Sequence, residues 1–420
     1  MKLPKCKLPF SVTAILITSM ALASVIFTEN LRALTGTSIF KLKACPKENV
    51  VPALYKDTSF WSTTDDIIDE DKIEFDPNEC RIMDGEWVFN RSVEPLYTDE
   101  TCPYLDRDVA CQRNGRIDRD YLYWQWQLDD CILPRFDPEK VLEKLRGKRL
   151  MFVGDSVQKA QWLSFVCMVQ SRIPEDQRSM HRTHTFSVFR AKGYNASIEF
   201  YWAPHLVETN SDDPIIYDTK KRILHVDSVS KHAKNWVGVD ILVFNSYVWW
   251  MNGHKIKSLW GSFANGEEGY EELETKVAYR ISLKTWANWV DSTVNPNVTR
   301  VFFNTMSPTH MRSKDWNNTK GIRCYNETMP VMKKGHWGSG SNRTMMKVVS
   351  DIVGRMKFPL TVINITQLSE HRIDGHVSVH TGGKIPLEEK KANLRQFVDC
   401  IHWCLPGVPD AWNQIFAAYL

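Results

Sequence analysis

The sequence predicts an α/β protein in which helices flank a parallel sheet, preceded by a lobe held together by disulfides. Beyond residue 142, short apolar runs alternate with longer stretches of helical pattern, which is typical of strands joined by crossover helices. The chain has 420 residues, of which 43% are hydrophobic, so it can bury a large core. The cysteine-rich segment before residue 142 has little regular pattern, which favours a stapled lobe over an independent domain.

The alternating region, 142–420, is the predicted catalytic domain. Its predicted strands are 149–153, 197–202, 240–244, 300–304 and 360–365, and its predicted helices include 156–170, 271–294 and 344–356. In such a sheet ligands bind beyond the carboxyl ends of the strands, so the residues that carry chemistry are expected there.

The N-terminal segment predicts a location in a membrane. Residues 9–27 are apolar apart from small Ser and Thr, and they follow the lysines of a short tail, 1–8. Their length is near the roughly 20 residues that span a bilayer, and the preceding lysines favour a cytosolic N-terminus with the remaining chain lumenal. A cleaved signal peptide is the alternative, since Ala21, Ala23 and Ser24 are small enough for cleavage.

Between this segment and the catalytic domain, the sequence predicts two further parts. Residues 28–79 include an acidic stretch poor in apolar periodicity, which predicts a flexible stem. Residues 80–141 form the cysteine-rich lobe, with an aromatic cluster at Tyr121, Tyr123, Trp124 and Trp126.

Cysteines and sequons agree with a secretory route. An even set of eight cysteines in the body predicts four disulfides whose connectivity spacing alone does not choose: Cys80, Cys102, Cys111, Cys131, Cys167, Cys324, Cys400 and Cys404. No pair has zinc-knuckle spacing, so we predict no metal site. The candidate glycosylation sites are Asn90, Asn195, Asn297, Asn317, Asn326, Asn342 and Asn364. The net charge is only +3 and is not gathered in runs, which excludes a nucleic-acid surface.

A nucleophile is predicted where the first strand ends. The run 149–156 leads a buried strand directly into Gly154-Asp155-Ser156 and then into a helix. A serine at that turn presents its hydroxyl beyond the sheet, and its N–H at a helix start can face a developing oxyanion. The structural alternative is that Asp155 and Ser156 only cap the helix.

A nucleophilic serine needs a base and an orienting carboxylate. We predict that His402 is the base, because Asp399 is only three residues earlier and one loop can hold the two side chains within hydrogen-bonding distance. His310, which follows a predicted strand, is the runner-up as base, and we expect it to contact substrate instead.

The Gly154-Asp155-Ser156 block and the Asp-x-x-His block near the C-terminus resemble those of the GDSL/SGNH esterase superfamily. The block 399–414, Asp-Cys-Ile-His-Trp-Cys-Leu-Pro-Gly-Val-Pro-Asp-Ala-Trp-Asn-Gln, together with the cysteine-rich lobe, resembles the plant trichome birefringence-like family. The segments 189–195, 211–214, 303–310 and 337–340 are most similar to its xylan-acetylating members. The similarity extends from about residue 80 to the end.

This resemblance implies an SGNH-like fold and an enzyme of the Golgi. Together with the predicted anchor, 9–27, it leads us to expect a single-pass type II protein of the Golgi membrane with a lumenal catalytic domain. The implied activity is acetyl transfer to xylosyl residues of cell-wall xylan through an acetyl-serine, with Ser156 as nucleophile, His402 as base and Asp399 as its partner. The implied disulfides are Cys80–Cys131, Cys102–Cys167, Cys111–Cys404 and Cys324–Cys400.

Oxyanion and substrate residues are predicted less directly. The glycine that the superfamily uses after its second strand has no secure counterpart, because Gly193 is badly placed, so we predict that Asn245 and the Ser156 N–H are the oxyanion donors. Trp249 and Trp250 can stack on sugar faces, although core residues fit the same pattern.

Several alternatives stay open at this point. An acetylesterase uses the same triad with water as acceptor, and the acceptor of a transferase can be mannan, xyloglucan or pectin. A non-catalytic polysaccharide-binding protein fits less well, since no triad residue is missing. We expect no bound cofactor, and the acetyl donor is acetyl-CoA or another acetylated compound, because no Gly-rich phosphate loop specifies one.

Overall fold

A sheet of seven strands lies at the centre of the folded chain. The computed structural model describes residues 72–210, 212, 221–251, 253–261 and 269–420. Its strands are β1 Ile73–Glu74, β2 Gly85–Phe89, β3 Trp124–Leu128, β4 Cys131–Ile132, β5 Arg149–Gly154, β6 Arg178–Arg182, β7 Phe186–Ala191, β8 Ala196–Trp202, β9 Glu208–Thr209, β10 Ile223–His225, β11 Ile241–Phe244, β12 Lys255–Leu259, β13 Glu271–Glu274, β14 Arg300–Asn304, β15 Thr361–Ile363, β16 His376–Ser378 and β17 Asp399–Trp403.

The α-helices of the described residues flank this sheet or pack near it. They are α1 Pro138–Lys144, α2 Ser156–Gln170, α3 Ser230–Trp236, α4 Thr275–Thr293, α5 Arg343–Val353, α6 Thr366–Glu370, α7 Leu387–Ala392, α8 Leu394–Phe397 and α9 Val408–Tyr419. Several begin at side-chain caps: Asp137 accepts two backbone N–H groups at α1, and Asn342 does the same at α5.

The predicted fold class is confirmed. The strand order in the central sheet is β15-β14-β11-β5-β8-β7-β6, and the pairs from β15 to β8 are parallel. All five predicted strands are present in this parallel part. The sheet has a core on each face: Leu150 and Phe152 of β5 belong to one cluster with residues of α2 and α9, while Met151 and Val153 belong to the other with residues of α4 and α5.

Some elements differ from the prediction. At one end of the sheet, β6 and β7 form an antiparallel hairpin that pairs with β8 through β7, which the sequence did not predict. The predicted helix 271–294 begins with a strand, since β13 pairs with β12 and the helix α4 starts only at Thr275. This strand belongs to a separate four-stranded sheet of order β13-β12-β10-β9.

The cysteine-rich lobe shares a core with the catalytic domain. Its buried residues, Trp87 and Trp126 among them, belong to the same hydrophobic cluster as α2 and α9, and Trp87 Nε1 donates to the carbonyl of Leu368 at 2.8 Å. The structure contains the four disulfides that the resemblance implied: Cys80–Cys131, Cys102–Cys167, Cys111–Cys404 and Cys324–Cys400. The short strand β1 pairs with β4, so residues 73 and 74, at the end of the segment predicted as stem, 28–79, belong to a strand.

The expected location, a single-pass type II protein of the Golgi membrane, is corrected. No helix within the described part of the chain is long and apolar enough to cross a membrane. A span needs roughly 20 mostly apolar residues. The longest of these helices, α4, has 19 residues and carries Lys276, Arg280 and Lys284. The predicted cytosolic tail, 1–8, and anchor, 9–27, lie outside the described residues, as does most of the predicted stem.

Candidate active site

Ser156 lies at the turn between β5 and α2, where the sequence predicted it. Asp155 is the N-cap of α2, and its Oδ1 accepts the N–H of Val157 at 2.9 Å. The turn needs glycine at position 154, because a Cβ there would lie 2.5 Å from the carbonyl oxygen of Asn245 and 2.8 Å from Gln158 Cβ. Because Asp155 is the N-cap, Ser156 is the first helical residue, and its N–H has no acceptor within the helix.

His402 and Asp399 lie on β17, which is irregularly paired with β16. His376 pairs with Trp403 and Ser378 with Asp399, so three residues of β17 lie opposite one residue of β16. Such a bulge bends the strand and redirects its side chains. Disulfides fix the strand on both sides of His402: Cys400 is bonded to Cys324, and Cys404 to Cys111.

The three side chains form a continuous hydrogen-bonded series. His402 Nε2 is 2.7 Å from Ser156 Oγ, and His402 Nδ1 is 2.7 Å from Asp399 Oδ2. Asp399 Oδ1 also accepts the backbone N–H groups of Ile401 at 2.9 Å and His402 at 3.0 Å. The side chain of His402 is 30% exposed and that of Asp399 is 24% exposed, so a solute can reach the series from solvent.

The electrostatics of the pair favour a negative Asp399 next to a basic His402. Burial opposes ionisation of Asp399, but the charge and hydrogen bonds of His402 outweigh it and hold the pKa of the carboxyl well below its ordinary value. Burial likewise disfavours the charged ring of His402, yet Asp399 outweighs it and raises the pKa of His402. The carboxylate thus fixes the proton on Nδ1 and leaves Nε2 to accept from Ser156.

Two other carboxyl groups near these segments have structural roles. Asp155 is buried and caps α2, and burial raises its pKa to about 6 against the hydrogen bonds that it accepts. Asp410 accepts from Tyr97 Oη at 2.7 Å and from the Gly407 N–H at 2.9 Å, and burial raises its pKa to about 6. Asp410 thereby caps α9, and neither carboxyl replaces Asp399 as the partner of His402 Nδ1.

The side chain of Asn245 points away from an oxyanion position. Its Nδ2 donates to the carbonyl of Asn304 at 3.2 Å and to that of Thr305 at 3.0 Å, which uses both amide hydrogens. Asn245 therefore holds the segment after β14. The structure gives no support to the predicted oxyanion role of this side chain, and it leaves the Ser156 N–H as the helix-start donor.

The predicted substrate residues lie in the core. His310 is 2% exposed, and its two ring nitrogens contact His376 and the carbonyl of Glu370, so it cannot reach a ligand in this structure. Trp249 and Trp250 are 7% and 1% exposed, and Trp250 Nε1 donates to Ser246 Oγ at 2.9 Å. The predictions of substrate contact by His310 and of sugar stacking by Trp249 and Trp250 are corrected, because contact with a ligand needs an exposed side chain.

A charged cluster near the nucleophile was not predicted. Lys159 is one helical turn after Ser156, and its Nζ lies 2.7 Å from Asp106 Oδ2, while Arg182 bridges to the other oxygen of Asp106. Burial raises the pKa of Asp106, but the two cations outweigh it and lower the pKa overall. The position of Lys159 on the face of α2 that carries Ser156 was a usable signal, whereas Asp106 and Arg182 come from separate segments and gave none.

Within the part of the chain that the structure describes, no group of three or more His, Cys, Asp or Glu side chains could hold a metal ion. The hydrogen-bonded series of Ser156, His402 and Asp399 is an arrangement that can perform acyl transfer through an activated serine.

Comparisons with known proteins agree with this geometry. Residues 133–419 match the GDSL/SGNH-like acyl-esterase family found in Pmr5 and Cas1p, and residues 78–132 match the PMR5 N-terminal domain. The chain is 54% identical to Protein trichome birefringence-like 3 of Arabidopsis thaliana, over 99% of the chain and 97% of that protein. It is 53% identical to Probable xylan O-acetyltransferase 8 of Oryza sativa subsp. japonica, over 100% of the chain and 99% of the relative. The chain therefore belongs to the trichome birefringence-like family of GDSL/SGNH-like acyl-esterases.

Proposed function

We propose that this protein is an O-acetyltransferase that acetylates xylosyl residues of cell-wall xylan by a double displacement through an acetyl-serine. The observation that carries the proposal is the series Ser156 Oγ, His402 Nε2, His402 Nδ1 and Asp399 Oδ2, with 2.7 Å at each of its two hydrogen bonds. The two distances and the order of the side chains match the geometry of a nucleophile, a base and an orienting carboxylate.

In the first half of the reaction, Ser156 Oγ attacks the acetyl carbonyl of the donor while its proton moves to His402 Nε2. The tetrahedral oxyanion forms at the start of α2, where the Ser156 N–H and the helix dipole favour negative charge. Collapse of this intermediate expels the donor's leaving group, which takes the proton from His402. The products are an acetyl ester on Ser156 and a neutral imidazole.

In the second half, His402 Nε2 removes the proton of a xylosyl hydroxyl as that oxygen attacks the acetyl ester. The proton then returns to Ser156 Oγ when the ester bond breaks, so the enzyme is restored. Asp399 stabilises the imidazolium present in both halves and does not itself take the proton. An acetylated co-substrate, acetyl-CoA or another donor, supplies the acetyl group, and the reaction calls for no bound cofactor.

The choice of xylan as acceptor is supported by relatives. The rice relative that matches this chain along its whole length is named a probable xylan O-acetyltransferase. The candidate site adds that the side chains of His402 and Asp399 are partly exposed, and a polymer acceptor needs such exposure to reach the triad. Mannan, xyloglucan and pectin are the acceptors to compare in the same assay.

An acetylesterase is the second candidate function. The matched family is described as acyl-esterases, and the exposure of His402 also admits water to an acetyl-serine. The two functions differ only in the acceptor that attacks the ester.

The experiment supplies the purified chain with candidate acetyl donors and with defined xylo-, manno- and pectic oligosaccharides, and NMR identifies the acetylated positions. We expect acetylated xylo-oligosaccharides from the wild type and none above background from Ser156→Ala. Ser171→Ala is the matched control, because Ser171 is exposed at the other end of α2. Release of free acetate without acetylated sugar would favour the esterase, and full activity of Ser156→Ala would exclude Ser156 as nucleophile.

A further inference from the structure

The main-chain carbonyl of His402 is held by a buried side chain from the neighbouring strand. His376 Nδ1 lies 3.0 Å from the His402 carbonyl oxygen. The ring of His376 is 1% exposed and stacks on Trp403 at a centroid distance of 3.9 Å and an interplanar angle of 19°. The stacking fixes the plane of the ring, so the contact with His402 is confined to one direction.

The series continues through a second buried histidine. His376 Nε2 lies 2.6 Å from His310 Nδ1, and His310 Nε2 lies 3.1 Å from the carbonyl oxygen of Glu370. Three hydrogen-bonding contacts therefore connect the catalytic histidine's backbone to α6 by way of two imidazole rings.

The number of protons decides which of these contacts are hydrogen bonds. The two ends are carbonyl oxygens, which only accept, and a neutral imidazole carries one N–H. Two neutral rings can thus supply two of the three bonds. If both protons are on Nδ1, His310 donates to His376 and His376 donates to His402. If both are on Nε2, the series runs the other way and the His402 carbonyl faces a lone pair.

Surrounding charges favour the first arrangement. Burial, the largest cause, lowers the pKa of His376 to about 4 and lowers that of His310 well below its ordinary value, so both rings are neutral near pH 7. The Asp399 anion attracts a ring proton toward the His402 end. At the other end the carboxyl of Glu370 lies 4.0 Å from His310 Nε2, which is beyond hydrogen-bonding distance, and burial raises its pKa.

The remaining titratable and charged neighbours oppose an extra proton on the pair. Arg116 donates to the His376 carbonyl at 3.2 Å, and its charge lowers the pKa of His376 after the larger effect of burial. The charges that act on His310 come from His376, His336 and His371, which lower its pKa further. A third proton on the two rings is therefore disfavoured. The tautomers of the two neutral rings decide in which direction the hydrogen bonds of the series run.

We propose that His376 and His310 are positioning residues: the His310 Nδ1–H locks the tautomer of His376, whose Nδ1–H holds the His402 backbone in line with Ser156. This inference rests on the proposed function of Ser156 and His402, and it goes beyond the triad because neither residue touches the reacting atoms.

The test compares asparagine with leucine at each position. An asparagine amide can place an N–H near the position of Nδ1, whereas leucine fills similar space without a donor. The rate of labelling of Ser156 by a fluorophosphonate probe, measured between pH 5 and 9 on folded protein, reports the reactivity of the serine and the pKa of His402 without any natural donor or acceptor. We expect His376→Leu and His310→Leu to slow labelling about tenfold, the scale of one lost hydrogen bond. We expect His376→Asn and His310→Asn to recover most of the rate.

His232 supplies the matched control. It is 1% exposed and is hydrogen-bonded to Tyr201 Oη and the Val207 carbonyl, away from this series. His232→Leu and His232→Asn should lower the melting temperature without changing the labelling rate or its pH midpoint. If the wild type is labelled normally and the Leu and Asn variants of His376 are labelled at equal rates, the inference is wrong. The proposed function is not affected by that result. A wild type that is not labelled at Ser156 overturns the proposed function and the inference together.

Discussion

Single residues of the site were predictable where the residues that identify them lie close together in one short segment of the sequence. Gly154, Asp155 and Ser156 are consecutive, and Asp399 and His402 are three residues apart, so local spacing was enough to bring them into consideration. Asn245 and His310 follow strands as the prediction required, but a sequence does not say which way a side chain turns at a strand end. Both turn inward, where they bond to buried carbonyl or ring acceptors.

Asp399→Asn separates a triad from a Ser–His pair. The amide keeps the shape of the loop but can stabilise the wrong tautomer of His402, and it removes the charge that raises the pKa of His402. We expect the rate of acetyl-enzyme formation to fall by about 10⁴, the scale seen when such a carboxylate is neutralised. The residual activity should reach its plateau at lower pH than in the wild type, because the base is needed in its neutral form. Stopped-flow acylation across pH measures both effects.

Asp155→Asn and Asp410→Asn are the controls for that experiment. Both carboxyls cap helices, and Asp155 is buried while Asp410 is half-buried, so we expect the variants to lose stability while the folded protein keeps most of its acylation rate. Loss of acylation in either control, with normal acylation in Asp399→Asn, would assign the carboxylate role to another residue.

Gly154→Ala tests the turn that presents the nucleophile. The added Cβ would lie 2.5 Å from the Asn245 carbonyl oxygen, so the backbone of one partner must move. We expect a loss of about 1–3 kcal/mol in the free energy of unfolding, as for other overpacked sites, and a slower acylation of Ser156. Gly193→Ala is the control, because nothing lies within 4 Å of its added Cβ. Denaturant unfolding and acylation rates together measure the effect, and unchanged values for Gly154→Ala would contradict it.

At the scale of elements, the parallel strands were predicted because each is a short apolar run followed by a helical pattern. The hairpin of β6 and β7 was missed because its first strand, Arg-Ser-Met-His-Arg, is mostly polar and only half-buried at the sheet edge. The strand β13, Glu-Glu-Leu-Glu, has the composition of a helix start, and only its pairing with β12 makes it a strand. In both cases tertiary contacts outweigh local preference.

The element that carries His402 should depend on its disulfide. Cys324–Cys400 joins the bulge of β17 to the segment before α5, and His310 N–H donates to the Cys400 carbonyl at 3.0 Å. We expect the double variant Cys324→Ser and Cys400→Ser to slow acylation of the folded protein, because the position of His402 is less constrained. The double variant Cys80→Ser and Cys131→Ser should lower stability by about 2–5 kcal/mol and keep the acylation rate of the folded protein. Equal acylation rates in the two double variants would argue against a role of the bridge in positioning His402.

Over the whole molecule, buried histidines should set the response of stability to acid. In the described part of the chain, seven histidines have a pKa lowered first by burial: His205, His232, His310, His336, His371, His376 and His380. An unfolded chain protonates these rings near pH 6.5, whereas the folded chain does so only at lower pH. The unfolded state therefore binds more protons as pH falls below about 6.5, and these residues reduce stability in that range.

Among the residues that the structure describes, four groups whose pKa is raised act in the opposite direction, and they are fewer than the seven histidines. Asp155 and Asp410, with pKa values raised to about 6, and Glu370, also raised, bind protons more tightly in the folded state, so they favour folding as pH falls. His402, whose pKa is raised, does the same. Because the lowered histidines outnumber these groups, we expect the melting temperature to fall between pH 7 and pH 5. His232→Gln should make the fall less steep by removing one of the seven. Calorimetric scans at intervals of half a pH unit measure it, and a melting temperature that stays constant or rises toward pH 5 would show that the raised groups dominate.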